Sequence, residues 1–167
     1  MPVADFGATV DELTDELISL RRELHRVPEL GFEELKTSAF VAERLRALGL
    51  DPQTGVATTG VVALIEGATP GATLLVRADM DGLPVDERTE VDYRSTHAGR
   101  MHACGHDAHV AMLLVAARVL VGMRARLRGT VKLVFQPAEE GLGGARVMIE
   151  EGVLESPHVD AALGFHI

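Results

Sequence analysis

Hydrophobic positions along this 167-residue chain keep two rhythms, one of period 3.6 and one of shorter strand-like runs. Leu13, Leu17, Leu20 and Leu24 recur at spacings of four and three, which puts them on one face of a helix that must stop before Pro28. Phe40, Val41, Leu45 and Leu48 share a face of a second helix, and Gly49 stands where its stop is expected. Residues 60–65 and 72–77 then read as strands separated by the turn chemistry of Thr69-Pro70-Gly71, and the two are expected to pair antiparallel. Residues 108–121 are apolar nearly all round, as in a helix buried against a sheet, with Asp107 as its expected N-cap. Residues 131–135 predict a strand ended by Pro137, residues 144–151 a helix and residues 159–164 a last strand.

Strands alternating with helices imply an α/β fold, a three-layer sandwich around a mixed, largely parallel sheet. In such sheets ligand sites collect beyond the carboxyl ends of the strands. Asp79, Glu139, Glu140 and His166 each fall just after a predicted strand.

Composition narrows the partner. A chain 47% apolar and 25% charged suits one globular domain. Its 25 acidic residues outnumber 16 basic ones, and the net charge of -9 disfavours nucleic acid and membrane surfaces, leaving a small molecule as the expected partner. Arg124, Arg126 and Arg128 follow a helix and read as a solvated helix end. Residues 1–6 have neither the basic start nor the apolar stretch of a secretory signal. The apolar run 110–121 is shorter than the roughly 20 residues of a membrane span. Cys104 is the only cysteine, which excludes an internal disulfide and makes a cytoplasmic location the expectation.

The chemistry gathers in two segments, His102-Ala103-Cys104-Gly105-His106-Asp107 and Gln136-Pro137-Ala138-Glu139-Glu140-Gly141. An extended backbone would set His102, Cys104 and His106 on one side, and the helix N-terminus that follows would favour a thiolate. Thiolate and imidazole together suit a zinc-like ion. His109, in the first turn of that helix, either supports a ligand or is one. Consecutive side chains at a strand end diverge, so one of Glu139 and Glu140 can bind a cation while the other handles a water proton. Most Glu-Glu pairs are solvated acids, but this one lies between a buried-type strand and Gly141-Leu142-Gly143-Gly144, a loop lacking the Gly-Lys-Ser/Thr of a phosphate site. Asp79 and Asp81 either orient or bridge cations, or Asp81-Gly82 forms a turn. A cysteine nucleophile explains less, because His106 is a sequence neighbour and the carboxylates would have no task. No Gly-x-Ser-x-Gly elbow is present.

The run Met101-His102-Ala103-Cys104-Gly105-His106-Asp107-Ala108-His109, with Arg77-Ala78-Asp79-Met80-Asp81-Gly82-Leu83-Pro84 before it and Phe135-Gln136-Pro137-Ala138-Glu139-Glu140-Gly141 after it, resembles the metal-dependent amidohydrolases that cleave N-acyl amino acids. These aminoacylase-like metallopeptidases include hippurate hydrolases, N-acetyldiaminopimelate deacetylases and indole-acetyl-amino-acid hydrolases. Leu24-His25-Arg26-Val27-Pro28-Glu29-Leu30-Gly31-Phe32-Glu33-Glu34 resembles their amino-terminal segment, and Gly164-Phe165-His166 the motif ending in a metal-binding histidine.

The resemblance implies a zinc-peptidase-like catalytic domain in which Cys104, His106, Glu140 and His166 hold two divalent ions, zinc, manganese or cobalt. It implies Glu139 as general base and Asp79 as the aspartate supporting the centre. His25 matches the amino-terminal pattern, but its place near a helix end points first to a structural role. The implied reaction converts an N-acyl amino acid into a carboxylic acid and an amino acid. Residues 1–167 would be the amino-terminal part of that catalytic domain, without the lid and dimerisation domain through which full-length relatives form homodimers. The alternative expectation is a noncatalytic metal-binding or interaction fragment lacking the rest of the site.

Overall fold

The leucine repeat folds as helix α1 (Thr14–His25), which buries Leu20 and Leu24, and the second periodic stretch as α2 (Leu35–Ala47), which buries Val41 and Leu45. This computed structural model describes Gly7 and residues 10–167, so the expectation about a signal in residues 1–6 lies outside the described residues. Helix α2 has no cap from the residue that precedes it. The Glu29 carboxylate does that work from a distance, accepting the N–H groups of Lys36 and Thr37 at 3.1 and 2.9 Å. Gly49 ends the helix with φ +77°, a conformation that costs glycine little.

Five strands follow: β1 (Gln53–Val56), β2 (Gly60–Glu66), β3 (Thr69–Asp79), β4 (Arg128–Gln136) and β5 (Ala161–Gly164). They form one mixed sheet in the order β1-β2-β4-β3-β5. β3 is parallel to β4 and β5, while β2 is antiparallel to β1 and β4. Helix α3 (His106–Gly122) links β3 to β4, and α4 (Gly144–Glu150) lies between β4 and β5.

The expected β2–β3 pairing is not made. β4 inserts between them, with Phe135 opposite Val61 on one side and Ala78 on the other. The reason is burial: Leu133, Val134 and Phe135 point apolar side chains to both faces, and only a central strand covers both. Thr69-Pro70-Gly71 is not the turn either, but the start of β3, where the register slips between Thr69 and Thr73 and a proline is tolerated. The chain reverses at Gly67 and Ala68, whose N–H groups bond to the carbonyls of Gly129 and Leu127 at 2.8 and 3.0 Å. Strand β1 carries no apolar alternation and lies exposed at the sheet edge.

Helices α1, α2 and α3 cover one face of the sheet over Val61, Ala63, Ile65, Ala78, Leu133 and Phe135. Met148 of α4 packs on Leu75 and Val134 on the other face, which completes three layers. The same face buries Lys132, whose Nζ donates to the carbonyls of Val153, Glu155 and Pro157 at 2.9, 2.7 and 2.9 Å and so fastens the segment between α4 and β5. Asp107 does not cap α3. Gly105 precedes the helix in the left-handed region at φ +81°, so the helix starts at His106 and Asp107 turns inward within its first turn. Among the described residues no helix is long and apolar enough to cross a membrane.

Candidate metal centre

Four chain segments deliver chemistry to one place. The end of β3 brings Asp79, with Asp81 just beyond it; the start of α3 brings His106 and His109, with Cys104 just before it. The turn after β4 brings Glu139 and Glu140, and the segment after β5 brings His166. All six residues expected at a site converge. His106 Nε2 lies 3.6 Å from Asp79 Oδ2, 3.8 Å from Glu140 Oε1 and 3.9 Å from Glu139 Oε2. Cys104 Sγ is 3.2 Å from His166 Nε2, and His166 Nδ1 is 3.6 Å from Asp79 Oδ2. The floor is closed and the mouth open: the side chains of His106 and Asp79 are 0% exposed, those of Glu140, Glu139 and His166 27%, 33% and 41%.

Support for the floor comes from residues the expected ligand set leaves out. Asp81 Oδ1 faces His106 Nδ1 at 3.3 Å, while its Oδ2 accepts the N–H of Glu140 at 3.0 Å. Asp81 therefore ties the imidazole to the glutamate, and the alternative of an Asp-Gly turn does not hold. Gly82 is there for close approach: a Cβ would lie 2.9 Å from Pro28 Cβ, and its N–H bonds to the Glu29 carbonyl at 2.7 Å. Asp79 is held by His109, whose Nδ1 is 2.5 Å from Oδ1, and by an ion pair with Arg77 at 2.8 Å. His109 thus supports Asp79 directly.

Burial alone would push the His106 pKa down, but hydrogen bonding from Asp81 and the charges of Asp79 and Glu140 outweigh it and raise it. The expected thiolate at Cys104 is not favoured by the protein by itself. Burial and the nearby carboxylates of Glu140, Glu139 and Asp79 push the thiol up to about 11, overriding the helix end that argued for ionisation. A divalent cation inverts that balance, since it supplies the positive charge the carboxylates lack and deprotonates a coordinating thiol.

His102 does not join Cys104 and His106. The turn at Ala103 and Cys104 and the left-handed Gly105 break the extended geometry that would align them. His102 is buried behind the site with its ring centroid 6.3 Å from that of His25, and burial drives its pKa down to about 4. His25 lies between two carboxylates: Nδ1 is 2.7 Å from Asp107 Oδ2 and Nε2 3.2 Å from Glu87 Oε1, linking α1, α3 and the segment between β3 and α3.

Two overlapping sets of donor atoms could hold cations. Cys104, His106 and Glu140 form one, Asp79, His106, His109 and His166 the other, with the donor atoms of each set within 4.8 Å of one another. The donor chemistry fits a divalent ion. His106 Nε2 and Glu140 Oε1 are buried, lack hydrogen-bond partners and face a shared space beside a thiol. Polar atoms so placed are costly unless something charged satisfies them.

A three-layer α/β sandwich that gathers cysteine, histidine and carboxylate donors beyond its strand ends is the architecture of a metallopeptidase catalytic domain. The chain belongs to peptidase family M20/M25/M40, whose model matches residues 75–167. Over 161 residues it is 50% identical to thermostable carboxypeptidase 1 of Saccharolobus solfataricus, covering 95% of this chain and 40% of that protein. It is 49% identical over 156 residues to the IAA-amino acid hydrolase ILR1-like 2 of Arabidopsis thaliana, covering 93% of this chain and 35% of the relative. The chain therefore spans about two-fifths of the length of the curated relatives it matches. The crystal structure of the Bacillus subtilis YXEP protein, a dinuclear metal binding peptidase from the M20 family, superimposes with a TM-score of 0.88 at 41% identity, over 93% of this chain and 44% of that one. The relatives are amidohydrolases and peptidases.

Proposed function

We propose that these residues form the amino-terminal part of a catalytic domain that hydrolyses the amide bond of N-acyl amino acids, using two divalent ions. The observation that carries this reading is the meeting of Cys104, His106 and Glu140 donor atoms beside Glu139 at an open mouth. The names of the two relatives differ in substrate but agree in chemistry: a carboxypeptidase and an IAA-amino acid hydrolase both break an amide whose amine side is an amino acid.

In this reading Cys104, His106, Glu140 and His166 hold the ions. With Asp81 Oδ1 3.3 Å from His106 Nδ1, a proton on that nitrogen is favoured and the lone pair of Nε2 is left for the centre. Asp79, fixed by His109 and Arg77, keeps negative charge beneath the ligands and orients His166. When bound, two such ions acidify a water and polarise the substrate carbonyl. Glu139 takes the water proton and returns it to the departing amine, so that the products are a carboxylic acid and an amino acid. Zinc suits the Cys104 sulfur, while the carboxylate and imidazole donors discriminate weakly among zinc, manganese and cobalt. A lid and dimerisation domain and a further metal-binding histidine belong, in this reading, to the portion of the relatives beyond the matched region.

Hydrolysis of an N-acetyl or N-benzoyl amino acid by the active protein should vanish after exhaustive chelation and return on adding back divalent metal. Amide hydrolysis that persists in chelated, metal-free protein would overturn the proposal. The support given by Asp81 has its own consequence. Asp81→Ala should weaken divalent metal binding about 10- to 100-fold, as loss of an outer partner of a metal ligand does. Competition with a chromophoric chelator reads this, and wild-type affinity in the variant would remove Asp81 from that role.

A further inference from the structure

The geometry points to Glu34 as a positioning residue for the general base: its buried carboxylate grips the backbone of Ala138 and thereby fixes the direction in which Glu139 leaves the chain. The inference rests on the reading of Glu139 as the base. Glu34 precedes α2, distant in sequence from the turn after β4, and is 0% exposed. Oε1 accepts the N–H of Ala138 at 2.8 Å, and Oε2 accepts the hydroxyl of Thr59.

Ala138 is where such a grip has an effect. It stands immediately before Glu139 with φ +52°, a left-handed conformation that a residue with a Cβ avoids unless its surroundings impose it. The surroundings act from every side. Glu34 holds the N–H, and the Ala138 carbonyl accepts the N–H of Gly144 at 3.0 Å. Gly31 leaves room for the methyl, since a Cβ at Gly31 would lie 2.9 Å from both Ala138 Cα and Cβ. Gly144 must approach Pro137 so closely that a Cβ there would fall 1.8 Å from the Pro137 carbonyl oxygen.

Asp81 holds the backbone of both adjacent glutamates, while Glu34 holds Ala138, the residue from which Glu139 departs. The Glu139 side chain itself is only loosely paired, 3.9 Å from His106 Nε2, so its direction depends on that backbone. A neutral apolar residue would fill the space of Glu34 at a lower desolvation cost. What the carboxylate adds is two acceptor oxygens, spent on a backbone N–H and a hydroxyl.

The test compares Glu34→Gln and Glu34→Ala in metal-loaded active protein, reading kcat, KM and bound metal with an N-acetyl amino acid. Gln keeps an acceptor for the Ala138 N–H and should stay within about threefold of wild type in kcat. Ala removes it, and kcat should fall at least tenfold with KM unchanged and bound metal per protein unchanged, the last of which loss of folded protein would not give. Combined with Glu139→Gln, the Glu34→Ala change should cost nothing further in kcat, because its effect runs through the base. Wild-type kcat in folded Glu34→Ala protein, or an equal loss in Glu34→Gln, overturns the inference. If Glu34→Ala does not fold, hydrogen exchange of the wild-type protein decides. The Ala138 amide should be protected like those of β4, and exchange as fast as that of Gly143 overturns the inference. A Glu139→Gln protein with full activity would instead overturn the assignment of the base, so the two failures are distinct.

Discussion

Active protein carrying Glu139→Gln is expected to lose about 100- to 10,000-fold in turnover while keeping its full complement of metal, the loss typical of removing a general base. Glutamine preserves the shape of the side chain but cannot accept the water proton. Distance to the imidazole does not distinguish the two glutamates, since Glu139 and Glu140 lie 3.9 and 3.8 Å from His106 Nε2. Their surroundings do. Glu140 has a buried, unpartnered Oε1 and a backbone tied to Asp81, which suits a fixed ligand. Glu139 is the more exposed at 33% against 27%, which suits the proposed base. Metal content is therefore the deciding companion measurement. A Glu139→Gln protein that loses its metal would move Glu139 among the ligands, and one that turns over at the wild-type rate would exclude it as the base.

The second large effect concerns stability. Phe135→Ala should destabilise the fold by about 3–5 kcal/mol, the usual cost of emptying a fully buried aromatic position. Phe135 is 0% exposed in the main core and is held between Val61 of β2 and Ala78 of β3. It also precedes Gln136 and the turn bearing both glutamates, so the cavity would open beneath the site. Denaturant unfolding measures the change. A loss below about 1 kcal/mol would mean that the core closes elsewhere than around β4.

What could be read in the sequence follows from how local each feature is. Helices α1 and α2 were legible because each buries a single face, and the leucine and Phe40-Val41-Leu45 spacings record it. Strand pairing was not, because the choice of β4 rather than β3 as the partner of β2 depends on which strand needs cover on both faces. Asp107 has the chemistry of a cap, but the backbone of Gly105 sets the helix start and a buried His25 takes the carboxylate. The candidate site was legible as residue types because Cys104 and His106, and Glu139 and Glu140, lie within short motifs. The parts that aim them were not. Glu34 is joined to the site through Ala138, 104 positions away, and no local pattern records such a contact. His102 shows the opposite error: a plausible ligand by alternation, it is turned away by the very glycine that starts α3.

Anomalous diffraction from crystals of the metal-loaded protein tests the proposed centre most directly. The expected result is two peaks that between them lie about 2.0–2.3 Å from Cys104 Sγ, a His106 nitrogen, the Glu140 carboxylate and a His166 nitrogen, with the Glu139 carboxylate outside bonding distance. Metal that binds elsewhere, or peaks that leave Cys104, His106 and Glu140 all uncoordinated, would contradict it.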